Sequence, residues 1–143
     1  MSVVIAVSDG ETIEAGADSA VGSPEEIYEL LEPKVFVRGD YLIGYCGSLR
    51  IGQILRYQTE LPEPPPDGNL TAFLVQEVVP EIQRAVEVAG AAGKDHFLPN
   101  KTVILLGCRG GLWSIRGAAA VPTCGRTLHD AFRLRRALPH RQR

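Results

Sequence analysis

Four residues have types and positions that could support acyl-transfer chemistry: Ser2 directly behind Met1, Asp18 within Gly16-Ala17-Asp18-Ser19, Lys34, and Gly47. A serine hydroxyl is a weak nucleophile until a base removes its proton, so Ser2 matters only if a basic group lies beside it. Each residue taken singly also has an ordinary reading. Small residues commonly follow Met1, Asp18 suits a strand end where it accepts from local backbone donors, Lys34 suits a solvated strand start, and Gly47 suits a strand-to-helix turn. Cys46, Cys108 and Cys124 are odd in number and widely spaced. They form no CxxC pair and have no histidine at ligand spacing, which argues against a disulfide framework and against zinc. His96 has no partner at a diagnostic interval, and Phe73, Phe97 and Trp113 read as core residues.

The elements that must position these groups follow from the hydrophobic pattern. Val3 to Val7 is a β-branched run stopping at Asp9-Gly10, a tight-turn dipeptide, and Thr12 to Ala17 is the expected return strand. A loop through Gly22, Ser23 and Pro24 leads to Glu25 to Leu31, expected as a short helical turn ended by Pro33. Lys34 to Arg38 alternates as a half-buried strand, Gly39-Asp40 turns, and Tyr41 to Cys46 is the apolar partner. Ser48 is the expected N-cap of a helix over Leu49 to Thr59, with Leu49, Ile51, Ile54, Leu55 and Tyr57 available for burial. Pro62, Pro64, Pro65, Pro66 and Gly68 form a stiff connector. Phe73, Leu74, Val78, Ile82, Val86 and Ala89 then recur at helical spacing, with Pro80 expected to bend that helix and Gly90 and Gly93 to end it. Lys101 to Cys108 and Leu112 to Arg116 make a third hairpin around Arg109-Gly110-Gly111. Strand pairs separated by helices predict an α+β fold with helices packed on antiparallel sheet.

Composition bounds the function. The 143 residues are 45% hydrophobic with a formal net charge of −2, mean hydropathy is +0.01 and the pI is near 5.9. This describes a globular domain with a core and gives no reason to expect nucleic acid as a partner. No apolar run approaches the roughly 20 residues of a membrane span, and Met1 to Val7 lacks a secretory signal, so a cytoplasmic location with no membrane partner is expected. Arg126, Arg133, Arg135, Arg136, Arg141 and Arg143 crowd the end with Asp130 as the only acid among them.

On these residues the sequence resembles the proteasome β-subunit and bacterial ATP-dependent protease ring group, including its small bacterial and phage-like members. That group carries a nucleophile at the mature N-terminus before a first strand, Gly-Ala-Asp-Ser at the end of the second, a lysine opening the third, and a glycine-rich turn before the first long helix. Ser2, Gly16-Ala17-Asp18-Ser19, Lys34 and Gly47 stand in that order here. With Ser2 counted as the first mature residue, Asp18 and Lys34 fall where the family carries its catalytic pair. The resemblance spans residues 1–117 and implies an N-terminal-nucleophile hydrolase with an αββα-type sandwich.

What the resemblance implies is a threonine/serine-type peptidase. Ser2 is the nucleophile once Met1 is removed, and its own α-amine is the base. That amine ordinarily titrates at roughly 7.7 to 8.0 and is lowered by a nearby ammonium. Lys34 supplies that charge, Asp18 fixes Lys34, and the Gly47 N–H donates to the oxyanion. No metal or organic cofactor is called for. Peptide or unfolded protein is the implied substrate, a homo-oligomeric ring the implied state, and an ATPase unfoldase a further partner. The match weakens after Arg116: Thr123-Cys124-Gly125 is a poor counterpart of the family's next turn, and residues 118–143 are expected to be an atypical Arg-rich tail, truncated or from a shifted reading frame. Two further readings remain at this point: a non-catalytic ring or assembly subunit, and a binding module with acidic and basic faces.

Overall fold

The computed structural model describes residues 3–22, 25–90, 102–116, 119–122 and 126–130, the last group and residue 119 by backbone alone. The first hairpin forms as its residues dictate: β1 (Val3–Ser8) and β2 (Ile13–Ala17) pair antiparallel with Val4 opposite Ala17. Its turn closes because Gly10 adopts φ +98°, and the Asp9 carboxylate accepts from the N–H groups of Glu11 at 2.9 Å and Thr12 at 2.7 Å. β10 (Arg126–Asp130) pairs with the other edge of β1, giving a three-stranded sheet in the order β10-β1-β2.

The expected helical turn over Glu25 to Leu31 is instead a strand. β4 (Ile27–Glu29) pairs with β3 (Ala20–Gly22), and Leu30 N–H donates to Ser19 O at 2.8 Å. A segment this short, stopped by Pro33, cannot offset the cost of nucleating a helix. Cross-strand partners satisfy the same backbone groups and suit the β-forming Ile27 and Tyr28.

β5 (Val35–Arg38), β6 (Tyr41–Cys46), β7 (Val103–Cys108), β8 (Gly111–Arg116) and β9 (Ala119–Pro122) form a five-stranded sheet, in that order and antiparallel throughout. The two-residue period of a strand sorts its side chains between two faces. Phe36, Tyr41, Ile43, Tyr45, Ile104, Leu106, Trp113 and Ile115 pack with the helices in the larger core. Cys46, Leu105 and Leu112 face Val4 and Ala6 of β1 in a smaller core between the sheets. The sheets approach closely at Gly44, where an added Cβ would stand 2.8 Å from the Val4 side chain.

The helical layer begins with α1 (Leu49–Tyr57), capped by Ser48, whose hydroxyl accepts from Ile51 N–H at 3.3 Å. Ile51, Ile54 and Leu55 are buried, whereas Tyr57, expected with them, is 60% exposed. At about 100° per residue it lies beyond the Ile54 edge of that stripe, about 110° from its centre. A second helical run comprises α2 (Leu70–Phe73), a π-helical turn (Leu74–Val78) and α3 (Val79–Val88). Val79 N–H reaches back five residues to Leu74 O. Pro80, which lacks an N–H and crowds the carbonyl four residues earlier, is accommodated by this wider turn. Gly90 follows α3 at φ +105°. Gly93, His96, Phe97, Lys101 and Cys124 lie outside the described residues. The proline connector is strapped to the sheet: Tyr41 Oη donates to Pro62 O at 2.6 Å, and the Arg109 guanidinium donates to Pro64 O at 2.9 Å and to Pro65 O.

Candidate active site

The end of β2 meets the start of β1, and this pairing places Asp18 against the chain's beginning. Asp18 N–H donates to Val3 O at 3.1 Å, and Val3 N–H donates to Asp18 Oδ1 at 2.7 Å. The second carboxylate oxygen, Oδ2, accepts from Lys34 Nζ at 3.0 Å and from Ala20 N–H at 3.1 Å. Lys34 Nζ also donates to Ala20 O at 2.5 Å. Lys34 is 2% exposed while the Asp18 side chain is 29% exposed. An ammonium removed so far from water requires close partners, and the carboxylate and the carbonyl supply them.

Partial burial pushes the Asp18 carboxyl upward, but the hydrogen bonds from Val3 and Lys34, the Lys34 charge and the Ala20 N–H together outweigh it and hold the group below its ordinary value. Asp18 is therefore ionised at neutral pH. Lys34 sits just ahead of β5 and is anchored to the neighbouring strand, because Tyr45 N–H donates to Lys34 O at 3.2 Å.

Two of the sequence-predicted residues, Asp18 and Lys34, are thus in direct contact. Gly47 is the first residue after β6, in a left-handed conformation at φ +107° that favours glycine. Ser48 N–H beside it donates to Thr102 Oγ1 at 3.3 Å. No hydrogen bond joins Gly47 to the Asp18–Lys34 pair among the described residues. Ser2 lies outside the described residues; Val3, its covalent neighbour, is held by the carboxylate that holds Lys34.

A cavity of about 310 Å³ lies between the segment that follows β4 and helix α1, lined among others by Leu30, Glu32, Tyr45, Leu49, Gln53 and Arg56. Tyr45 lies across Gly52, so closely that a Cβ at position 52 would run into the ring. Burial pushes the Tyr45 phenol above its usual range. Sequence reasoning assigned none of these pocket residues to a site, and named Leu49 only for burial. The one signal available was Gly52, a glycine in a helix interior, which commonly marks a close approach.

The architecture can now be compared with known proteins. No family model matches the chain, and no curated protein matches it either. Solved structures do. BPH from Thiobacillus denitrificans is similar with a TM-score of 0.62 at 17% identity, over 91% of this chain and 72% of that one. HslV from Trypanosoma brucei gives 0.52 at 17% identity, over 90% and 71%. Anbu from Hyphomicrobium sp. strain MC1, as its Gly-1 mutant, gives 0.59 at 11% identity, over 91% and 60%. The fold is that of the proteasome-like N-terminal-nucleophile hydrolases. Within that fold, the start of β1, the residue after β2 and the residue before β5 bring Val3, Asp18 and Lys34 into one cluster. No described helix is long and apolar enough to cross a membrane.

Proposed function

We propose that this chain is a threonine/serine-type peptidase that cleaves peptide bonds with Ser2 after Met1 is removed. One observation carries the reading: a single carboxylate, Asp18, binds a buried lysine ammonium through one oxygen and the N–H of the residue after Ser2 through the other. An ammonium held at that point favours the neutral form of a nearby α-amine, which can then act as a base. As Ser2 Oγ bonds to the substrate carbonyl carbon, its proton passes to the α-amine and then to the departing amine. Water completes the cycle by releasing the acyl group from Ser2. The Gly47 N–H is assigned to the developing oxyanion, since its left-handed backbone turns the main chain at the end of β6. No metal or organic cofactor takes part. The substrate is a peptide or an unfolded protein segment, and the working form is a homo-oligomeric ring fed by an ATPase unfoldase.

Hydrolysis of fluorogenic peptides by the full chain and two variants tests this. Ser2→Ala is expected to abolish turnover, and Lys34→Met, which keeps most of the buried volume, to lower it by about a hundredfold or more. Intact mass should show loss of Met1. Turnover unchanged in Ser2→Ala, or Met1 retained on an active chain, overturns the proposal.

A further inference from the structure

Gly47 stands where the ladder between β6 and β7 ends. Cys46 is the last paired residue of β6, opposite Val103, and the same register continued by one step would set Gly47 opposite Thr102. The chain turns away there instead, because Gly47 takes φ +107°. Ser48, the next residue, is held at each of its polar groups. Its N–H donates to Thr102 Oγ1 at 3.3 Å, its hydroxyl accepts from Ile51 N–H at 3.3 Å, and its carbonyl accepts from Gly52 N–H at 3.2 Å. Thr102 is buried at 7% exposure, whereas Gly47 lies at the surface.

A glycine does not fix its own backbone angles, since without a Cβ it enters the left-handed and right-handed regions with similar ease. Its neighbours must do so. The Cys46–Val103 pair holds the residue before Gly47, and the bond from Ser48 N–H to Thr102 Oγ1 holds the peptide after it. We infer that Thr102 is a positioning residue, whose hydroxyl pins the peptide following Gly47 and thereby aims the Gly47 N–H at the developing oxyanion. The inference rests on the peptidase reading, which gives that N–H its task. Thr102 acts through the Gly47–Ser48 turn and not on the substrate. A donor that serves the transition state changes kcat and leaves ground-state binding as it was.

Two variants of the full chain test this with the same fluorogenic peptides. Thr102→Val puts a methyl in place of the hydroxyl at nearly constant volume, and Thr102→Ser keeps the hydroxyl while dropping the methyl. In Thr102→Val, kcat is expected to fall about 10–100-fold with KM within about twofold of the parent, the pattern of a misaimed transition-state donor. Thr102→Ser is expected to recover kcat to within about threefold. The pH at which kcat is half-maximal should be the same in Thr102→Val as in the parent, because the base is untouched; damage reaching the Asp18–Lys34 pair would move it. Hydrogen exchange supplies a readout without turnover: the Ser48 amide of the parent is expected to exchange about tenfold or more slowly than an unprotected amide. An unprotected Ser48 amide in the parent overturns the inference whether or not the valine variant folds. With an active parent, parental kcat in Thr102→Val, a loss confined to KM, a shifted pH profile, or a serine variant no better than valine overturns it and leaves the peptidase reading standing. A parent without turnover removes the peptidase reading and this inference with it.

Discussion

Lys34 is the most demanding of the described residues, because its side chain is 2% exposed and a charge so far from water is tolerated only with close partners. Asp18 carries a lighter load, being partly hydrated and bonded to two backbone N–H groups besides Lys34. The two ends of the pair should therefore respond differently. Asp18→Asn takes away the negative charge 3.0 Å from a buried ammonium and is expected to cost about 3 kcal/mol at pH 7 by urea denaturation, more than Lys34→Met, which removes the buried charge itself. The pH dependence has a definite sign. Because the folded state holds the Asp18 carboxyl below its ordinary value, its stabilisation is complete above the unfolded value of about 3.9 and is lost as pH falls through the lower folded value. The stability gap between the parent chain and Asp18→Asn should accordingly narrow below about pH 4. A gap constant from pH 7 to pH 3 would contradict the assignment. The contact between Asp18 and Lys34 was anticipated because both residues sit at strand ends in the register of a known motif. The Ala20 carbonyl that shares Lys34 was not, since a backbone acceptor leaves no trace in residue type.

At the scale of elements, hydrophobic period and turn chemistry were legible wherever a segment was long enough to hold a pattern. The β1–β2 hairpin, β5, β6, the Ser48-capped α1 and the β7–β8 hairpin all form as their residues imply. Short segments were not, as β4 illustrates: three residues of strand exist because β3 is there to pair with them, a tertiary fact. Tyr57 shows the same limit, for its hydroxyl answers to Glu32, 25 residues away. The pocket was likewise illegible, because Glu32 and Arg56 meet only when α1 packs over the sheet. Two substitutions probe this packing. Gly52→Ala drives a methyl into the Tyr45 ring and is expected to destabilise by about 1–3 kcal/mol while perturbing the pocket. Ser48→Ala removes the hydroxyl that accepts from Ile51 N–H and is expected to cost about 1 kcal/mol, measured by chemical denaturation. A neutral Gly52→Ala would mean that the tyrosine ring is not seated across α1.

Across the described residues, the three-stranded and five-stranded sheets and a helical layer enclose one large and one small core, and the candidate site lies where the three-stranded sheet feeds its strand ends toward β5. The outward face of that sheet is unevenly covered: Ile5 and Val7 on β1 remain 46% and 42% exposed. At about 25 cal/mol per Å², apolar area left in water forgoes stabilisation that association can recover. The proposed ring accordingly predicts that the chain sediments as a multiple of its 15.5 kDa mass at micromolar concentration. A monomer at every concentration tested would contradict the ring while leaving the site chemistry open to test.

That chemistry depends on the second residue, freed of Met1, reacting beside the Asp18–Lys34 pair. The most direct measurement is treatment of the full chain with an electrophile aimed at N-terminal nucleophiles, followed by peptide mapping; epoxomicin is a suitable probe because the similarly folded BPH has been seen in complex with it. A single adduct on Ser2, lost in Ser2→Ala and strongly slowed in Lys34→Met, is the predicted result. An adduct at any other residue, or none on a folded chain, would contradict the account.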